Sequence, residues 1–438
     1  MSAPQRQPAE VPVIAERSEA LTPRSGAGGW PKTFRAFEDA NFRWFFAAQF
    51  GSFTSMNMQM FIRGWLVFEL TGSFAALGIM SLANGVSGLV TALFGGVIAD
   101  RVRQKKHVVQ IGQGLNAVVV LIVGVLIATD LLRFPHLVVA ALVQGAVMNT
   151  MMPSRQALTP EILGMERLMN AIALNTMGMN AARLLMPGFA GWMVGALSDG
   201  ASIAAAQWVY YMMVGLYLWS ILFLFKVKVA DRVAPEGGNA PALQELAAGF
   251  RYAWGDPTIR MLLLCNFLMV LFSMTYFMLL PGFAKDVLDT GPARLGLLTS
   301  ISGVGSLVGS LVIASLPNRR RGLVLLLSSL LLGFALVAFS ISTSYWPSVG
   351  ILTIVGLGQA GRMSLSNVLV QAYVEDKYRG RVMSIYMMEF SLMSLGIFLI
   401  GLLANTVGPQ LAVGGSAVGL VIMSLVLLLF VPAYRRLD

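Results

Sequence analysis

The chain has 438 residues, of which 56% are hydrophobic and only 12% are charged, and its formal net charge is +10. A soluble domain carries about 25% charged residues, so this composition excludes an ordinary soluble protein. A single cysteine excludes an internal disulfide. The sequence also lacks a glycine-rich phosphate loop, a cluster of metal ligands and a nucleophile–base pair. We therefore expect no enzyme activity, no metal and no cofactor.

The first element in chain order is a polar tail over residues 1–33, rich in Pro, Ala, Ser and Arg. It has no apolar core and resembles neither a signal peptide nor a folded domain, so we expect a disordered cytoplasmic segment. Beyond it, apolar runs long enough to cross a bilayer recur along the chain. The pattern predicts twelve helices, numbered 1 to 12 in order, over residues 44–70, 75–99, 107–129, 136–158, 167–195, 203–226, 259–283, 293–316, 321–342, 346–372, 382–405 and 409–433.

A polar linker over residues 227–258 separates predicted helices 6 and 7. Its second part, "ALQELAAGFRYAWGD", is typical of an amphipathic helix that lies at the membrane interface. The linker divides the chain into an N-terminal half, residues 34–226, and a C-terminal half, residues 259–438.

The distribution of Lys and Arg predicts the orientation in the membrane. With the N-terminus in the cytoplasm, about 25 Lys and Arg residues fall on the cytoplasmic side, whereas only Arg133, Lys285 and Arg294 lie outside. Both termini are therefore predicted to be cytoplasmic. The positive net charge is then a topology signal, and it does not indicate nucleic-acid binding.

The two halves of the chain repeat each other in sequence. Offsets of 218 and 214 residues relate three pairs: Gly78 and Gly296, Gly85 and Gly303, and Glu161 and Glu375. Six helices repeated in the same orientation indicate a parallel repeat about an axis along the membrane normal. We therefore predict an all-α membrane protein with twelve transmembrane helices in two six-helix, pseudo-symmetric halves.

The densest charge cluster is the loop after predicted helix 2, "GGVIADRVRQKKH". It resembles the G-x-x-x-D-[RK]-x-G-[RK]-[RK] signature of the major facilitator superfamily, and the resemblance extends over residues 34–435. Arg103 replaces the second glycine, and Asn318 replaces the aspartate in the second half. The matching positions are Gly96, Asp100, Arg101, Lys105 and Lys106.

The resemblance implies a transporter whose halves rock about a central site, with a gating role for this charge cluster. Asp100 would be held by cations and by helix N-termini when the halves close on the cytoplasmic side. It would be released when they part. A plain positively charged cytoplasmic loop is the alternative, but cations alone would satisfy it, so the aspartate favours the gate.

Two longer stretches, "RGWLVFELTGS" and "PSRQALTPEILGMERLMNAIALN", resemble the branch of drug and siderophore exporters that contains macrolide and enterobactin exporters. The stretch "LLMPGFAGW" on predicted helix 5 is similar to a signature of proton antiporters. There Pro187 and Gly191 match, whereas Met186 and Ala190 replace glycines. The resemblance implies proton antiport in a bacterial inner (plasma) membrane, and we expect a monomer.

Ionisable side chains inside a bilayer are costly and are therefore functional candidates. Glu389 on predicted helix 11 lies about 10 Å from the cytoplasmic end of that helix and is the carboxylate predicted deep within a helix. A carboxyl group removed from water can exchange a proton, so we predict a role in proton coupling; a structural glutamate is the alternative. Three roles are open for Arg183 on predicted helix 5. It could pair with Glu389, it could bind an anionic substrate, or it could pack against backbone carbonyls near Pro187.

The resemblance also implies that predicted helices 1, 4, 7 and 10 line a central cavity, and each of them carries a polar stripe at helical spacing. The candidate cavity residues are Gln49, Gln59, Arg63, Gln144, Met148, Asn266, Tyr276, Gln359 and Arg362. A lining of amides, arginines, methionines and aromatic rings suits a bulky, partly apolar small molecule. The embedded arginines tilt this preference toward neutral or acidic solutes.

We therefore predict a secondary transporter that exports hydrophobic or amphiphilic small molecules across the lipid bilayer by alternating access, in exchange for protons. An importer or a lysolipid flippase of the same fold is the alternative within transport. A membrane scaffold or sensor that moves no solute is the alternative from another class. The polar stripes argue against a scaffold or sensor, because such a protein does not need a polar, hydrated interior.

Overall fold

The computed structural model describes residues 32–101, 105–163, 168–197, 203–228, 242–317 and 319–437. These residues form helices joined by short turns, and this described part contains no β-strand. The prediction of an all-α protein is confirmed. Nearly all of the predicted tail and residues 229–241 of the linker lie outside the described residues.

The N-terminal half contains six long helices, preceded by a short 3-10 helix at Lys32–Glu38. They are α1 (Ala40–Thr71), α2 (Phe74–Arg101), α3 (Lys105–Ala128), α4 (Phe134–Leu163), α5 (Leu168–Ala196) and α6 (Ala206–Lys226). Each agrees in place with one of the first six predicted helices.

The linker and the C-terminal half contain ten further helices, some of them short. They are α7 (Ala242–Gly255), α8 (Pro257–Ser273), α9 (Thr275–Asp286), α10 (Pro292–Ser315), α11 (Arg321–Ile341), α12 (Tyr345–Tyr373), α13 (Asp376–Met387), α14 (Glu389–Val407), α15 (Pro409–Phe430) and α16 (Pro432–Arg435). The helix predicted in the linker is therefore present as α7.

Equivalent aspartates begin the first long helix of each half. The side chain of Asp39 accepts hydrogen bonds from the backbone N–H groups of Asn41 (2.7 Å) and Phe42 (3.3 Å). Asp256 caps α8 in the same way, through the N–H of Thr258 (2.7 Å). A carboxylate at this position satisfies N–H groups that have no partner within the helix and complements the helix dipole.

Eight helical segments in the described chain are long and apolar enough to cross a membrane. They are Lys105–Ala128, Phe134–Leu163, Ile203–Lys226, Pro257–Asp286, Pro292–Ser315, Arg321–Ile341, Asp376–Val407 and Pro409–Phe430. Helices α1, α5 and α12 are as long as these segments but carry amides and arginines. The prediction of twelve spans, with both termini cytoplasmic, therefore stays a prediction.

Two of the predicted helices are interrupted in the structure. Predicted helix 7 divides at Met274 into α8 and α9, and predicted helix 11 divides at Met388 into α13 and α14. Neither break contains proline or glycine, so no local sequence pattern predicts it. Glu389 consequently lies at the first position of α14, directly after a one-residue interruption within the helical span Asp376–Val407.

The two halves meet along two helix pairs, α2 with α14 and α5 with α10. Gly78 of α2 packs against Gly401 of α14, and Gly296 of α10 packs against Pro187 of α5. The repeat offsets relate these two contacts to each other, so the sequence repeat appears as equivalent packing. A Cβ atom on Gly78 would lie 2.9 Å from the Cα of Phe398, which is too close for any side chain.

Polar contacts hold the halves together at one end of the molecule. An ion pair joins Glu69 at the end of α1 to Lys285 of α9, with 2.8 Å between Oε1 and Nζ. Asn405 of α14 accepts a hydrogen bond from the backbone N–H of Phe74, at the start of α2, at 3.1 Å. We call this the closed end, and the opposite end, which carries α7, the linker end.

Helix α7 packs against the C-terminal half at the linker end. The ring of Tyr252 stacks on Tyr378 of α13, with centroids 4.1 Å apart. Gly249 fits against Arg381, where a Cβ atom would lie 2.7 Å from that of the arginine. The other face of α7 exposes Phe250 and Trp254, which agrees with the amphipathic character predicted for this segment.

Candidate functional site

The C-terminal half encloses a polar network centred on Asn266 of α8, which is fully buried. Its Nδ2 donates a hydrogen bond to Oε2 of Glu389 at 2.8 Å, and its Oδ1 accepts one from Ser366 at 2.7 Å. Glu389 itself is only 6% exposed. The structure thus brings together one predicted cavity residue and the predicted coupling residue.

Arg362 of α12 supplies the positive charge of this network. Its Nη1 lies 3.5 Å from Oδ1 of Asn266 and its Nε lies 3.5 Å from Oε1 of Gln359, so both hydrogen bonds are long. The guanidinium is 1% exposed and interacts electrostatically with Glu389. Gln359 also donates to Sδ of Met274, at the break between α8 and α9. Three predicted residues therefore form one charged network with Glu389.

The predicted cavity residues of the N-terminal half form a second, separate polar group. Nη1 of Arg63 on α1 donates to Oε1 of Gln144 on α4 at 3.1 Å. Arg63 also interacts electrostatically with Tyr210 and Tyr217 of α6. Gln59 is also buried, and it lies one helical turn before Arg63 on α1. Phenol rings from α6 at this site were not predicted.

A cavity of about 470 Å³ lies between α1, α4 and α5, toward the linker end. Gln49, a predicted cavity residue, lines it together with Arg155 of α4. Arg155 is 3% exposed, and its Nη2 donates to Oγ of Ser52 at 2.9 Å. Its guanidinium carbon also lies 5.4 Å from the ring centre of Phe53. Met148, one helical turn before Met152, packs instead against a nearby hydrophobic cluster.

Arg183 of α5 is exposed. It interacts electrostatically with Tyr276 of α9, which also interacts electrostatically with Arg362. Tyr276 is 4% exposed and hydrogen-bonded to Ser302. Tyr276 thus stands between a cation of one half and a cation of the other. The hydrogen-bond partner of Glu389 is Asn266, and a pairing of Glu389 with Arg183 stays a prediction.

The predicted gating residues are only partly described. Gly96, Asp100 and Arg101 belong to the last turns of α2, but their side chains lie outside the described residues. Lys105 forms an ion pair with Glu161 of α4, with 2.6 Å between Nζ and Oε1. Lys106 donates to the carbonyl of Val227 beyond the end of α6, at 2.6 Å. In this structure both lysines therefore join helices of the N-terminal half.

The antiporter-like residues of α5 form part of the contact between the halves. Gly191 faces the carbonyl of Pro292 so closely that a side chain would collide with it. The N–H of Gly188 donates to Oγ of Ser300 on α10 at 3.0 Å. Pro187 lies against Gly296 in the same contact. Close packing of α5 on α10 is thus a structural reason for these residue types.

Asn175 of α5, which was not predicted as a site residue, lines the cavity beside Arg155. Its Oδ1 is buried and has no hydrogen-bond partner among the described residues. The repeat contained a signal for this residue, because the offset of 214 residues places Asn175 at the position equivalent to Glu389. An amide on an otherwise unremarkable helix carries too little signal by itself.

Comparison with known families defines the class of protein. A sequence model described as "Transmembrane secretion effector" matches residues 32–437, nearly the whole described chain. With its all-helical fold, the chain is a membrane transporter of the major facilitator superfamily, as the loop motif predicted. It belongs to the transmembrane secretion effector family.

Curated relatives include enterobactin exporters. The chain is 25% identical over 400 residues to the enterobactin exporter EntS of Escherichia coli O1:K1 / APEC, a match that covers 90% of this chain and 92% of the relative. The EntS protein of Shigella boydii serotype 18 matches to the same extent. The family and these relatives are transporters rather than enzymes.

Solved structures of transporters share the fold at low sequence identity. The nucleoside transporter NupG has a TM-score of 0.69 and is 14% identical, covering 89% of this chain and 98% of its own. The peptide transporter POT in complex with sulfate has a TM-score of 0.69 and is 13% identical, covering 96% and 99%. A bacterial homolog of the human lysosomal transporter Spinster, in an inward-facing and unoccupied conformation, has a TM-score of 0.67 and is 14% identical, covering 93% and 97%.

Proposed function

We propose that this transporter exports hydrophobic or amphiphilic small molecules of the drug or siderophore type, in exchange for protons. It acts as a monomer in the bacterial inner membrane, with both termini in the cytoplasm. The direction is supported by the exporter relatives and the orientation by the excess of Lys and Arg on one side. Arginines, amides and aromatic rings within the halves support a bulky, partly polar solute.

The observation that carries the proposal is the network of Glu389, Asn266 and Arg362. Glu389 is a buried carboxyl group at a helix break, with an amide and a guanidinium as its neighbours. Movement of α14 relative to α8 and α12 would change the partners of Glu389, and a carboxyl group whose partners change can take up a proton in one state and release it in the other.

The contact pattern supports an alternating-access cycle. The close contacts between halves at Gly78, Gly191 and Gly296 lie toward the closed end, together with the Glu69–Lys285 ion pair. The cavity beside Arg155 lies toward the linker end. If the linker is cytoplasmic, this is the conformation that takes up solute from the cytoplasm. The opposite conformation would open the closed end and bring Asp100 against the C-terminal half.

The proposal is tested with everted membrane vesicles and a panel of labelled solutes that share one apolar body and differ in head-group charge. Solute uptake and proton release are followed together, the latter with a pH-sensitive dye. We expect uptake into everted vesicles that requires an imposed proton gradient and releases protons. Uptake only into right-side-out vesicles would assign import. Lipid transbilayer movement without solute uptake would assign a flippase, and no flux of any kind would assign a scaffold.

A further inference from the structure

The guanidinium of Arg155 is a buried positive charge without a described counter-charge. Nη2 is bonded to Ser52, but Nε and Nη1 have no hydrogen-bond partner among the described residues. No carboxylate is among the described residues that line the cavity. A buried cation that lacks both an opposite charge and full hydrogen bonding is strongly unfavourable. Within the described part of the chain, the cavity therefore holds a positive charge that no negative charge balances.

The repeat allows the position of Asn175 to be compared with the C-terminal half, although Arg155 and Arg362 are not themselves at equivalent positions. In the C-terminal half, the buried Arg362 interacts electrostatically with Glu389, and both residues are hydrogen-bonded to Asn266. In the N-terminal half, the residue equivalent to Glu389 by the offset of 214 residues is Asn175, which lines the same cavity as Arg155. An amide thus stands where the other half has a carboxylate. The unpartnered Oδ1 of Asn175 shows that this amide is not satisfied either.

The remaining walls of the cavity are largely apolar and reachable. Phe53, Met152, Ile172 and Met179 line it, and Met152, Ile172 and Met179 are 38%, 47% and 36% exposed. A ring or short aliphatic body can lie against these side chains, while a charged group reaches the buried arginine. Pockets for small organic molecules commonly combine apolar walls with one or two polar groups that fix orientation.

We propose that this cavity binds the carboxylate of an amphiphilic organic acid, with the carboxylate accepting hydrogen bonds from the guanidinium of Arg155 and its apolar body against Phe53 and the methionines. An arginine fork matches the two oxygens of a carboxylate. The ligand supplies the charge that Glu389 supplies in the other half. That the bound acid is also transported rests on the proposed function; that it binds does not.

Equilibrium dialysis with the purified full chain in a non-ionic detergent tests the binding. The probes are 2-naphthoate, 2-naphthalenemethanol and 2-naphthylmethylammonium, which share one ring system and carry a negative, a neutral and a positive head group. We expect naphthoate to bind at least about tenfold more tightly than the alcohol, because only naphthoate offers a charged hydrogen-bond acceptor to the guanidinium. The ammonium probe should bind most weakly.

Two variants locate the site. Arg155→Gln should reduce naphthoate affinity to that of the alcohol and leave the alcohol unchanged. Asn175→Glu installs the carboxylate that the other half has, so it should pair with Arg155, exclude naphthoate and keep or raise the melting temperature. Matched controls on exposed positions are Arg133→Gln, which removes one positive charge, and Gln371→Glu, which adds one negative charge.

Several results would overturn the inference. Naphthoate binding no tighter than that of the alcohol would do so, as would naphthoate binding that survives both variants. Loss of all three probes together with a lowered melting temperature in both variants would make Arg155 a purely structural residue. Displacement of naphthoate by micellar phosphatidylglycerol but not by soluble organic acids would assign the cavity to a lipid phosphate. Because no transport is measured, failure here leaves the proposed export untouched, and binding without transport leaves this inference intact.

Discussion

At the scale of single residues, the two halves solve one electrostatic problem in different ways. Arg362 and Glu389 are both buried. Asn266 donates a hydrogen bond to Glu389 and accepts a long one from Arg362. Arg63 donates a hydrogen bond to the amide of Gln144 and interacts electrostatically with two phenol groups. The first group contains a buried carboxylate that can take up a proton, whereas the described residues around Arg63 are amides and phenols. Under the proposed function, the C-terminal group would exchange protons and the N-terminal group would bind solute.

Glu389→Gln keeps the side-chain volume and the hydrogen bond to Asn266 but fixes the group in a neutral form. We expect this variant to lose uphill, proton-driven transport and to retain downhill exchange of solute. Proton release upon solute addition should fall at least about tenfold, since the exchanging group is absent. The measurement is pH-dye fluorescence alongside counterflow in proteoliposomes.

Glu375→Gln is the matched control, because Glu375 is an exposed carboxylate at the start of α13. It should couple protons normally. If the Glu389→Gln protein still releases protons with solute, the coupling group lies elsewhere, and Asp39 and Glu69 are the next residues to test.

Arg63→Gln should discriminate among solutes by charge. Removal of this cation is expected to weaken acidic solutes by about tenfold, roughly 1.4 kcal/mol, and to leave cationic solutes unchanged or slightly improved. Competition binding with a matched acid, alcohol and amine measures the effect. Equal losses for all three would show that Arg63 supports the fold through Gln144 and does not select solutes.

Sequence patterns predicted Asn266, Gln359, Arg362 and Glu389 one by one, because a polar side chain within an apolar helix is conspicuous. They did not predict that these four form one network, since contacts between α8, α12 and α14 depend on helix rotation and on the breaks at Met274 and Met388. Gln49 of the Arg155 cavity was predicted as a cavity residue, but the lack of partners for Arg155 was not, for a similar reason. A helical stripe marks a face, but only packing shows which groups on that face have no partner.

At the scale of helices, the contact between α5 and α10 depends on small residues. Gly188 and Gly191 let the backbone of α5 approach α10, and Ser300 bonds across the gap. This packing agrees with the glycine- and proline-rich pattern of α5. An approach of two backbones without side chains between them can be separated and restored with little side-chain rearrangement, which suits an interface that opens and closes.

Gly191→Ala should disturb this interface. The added methyl group would meet the Pro292 carbonyl, the Gly296 backbone and the ring of Phe61, and overpacking of this kind costs about 1–3 kcal/mol. We expect the closed end to open more often, seen as faster labelling of single cysteines there, and solute transport to slow.

Gly215→Ala on α6 is the matched control, because nothing lies within 4 Å of the position that its Cβ would occupy. It should leave both labelling and transport unchanged. Unchanged labelling in Gly191→Ala would mean that α5 and α10 do not form a moving contact.

At the scale of the whole molecule, the fold was largely predictable and the conformation was not. Apolar runs, the positions of charged loops and the repeat predicted two related sets of helices, and the equivalent contacts Gly78–Gly401 and Pro187–Gly296 bear out the repeat. Which end of the molecule is closed depends on a balance of weak contacts, such as the exposed Glu69–Lys285 pair, that contributes about 0–1 kcal/mol. A sequence that must populate two conformations encodes both of them, so no pattern selects one.

The central claim is that the halves rock about the buried networks, opening one end as the other closes. Distances between spin labels test it directly, in a Cys265→Ser background that removes the chain's one cysteine. Leu131 and Ile341 are exposed near the closed end, and His107 and Arg379 are exposed near the linker end. One pair is labelled in each of two double-cysteine proteins, and electron–electron resonance is recorded in nanodiscs across a pH series, with and without a transported solute. The account predicts that the Leu131–Ile341 distance lengthens in the same samples in which the His107–Arg379 distance shortens. Both distances fixed under every condition, or both lengthening together, would contradict it.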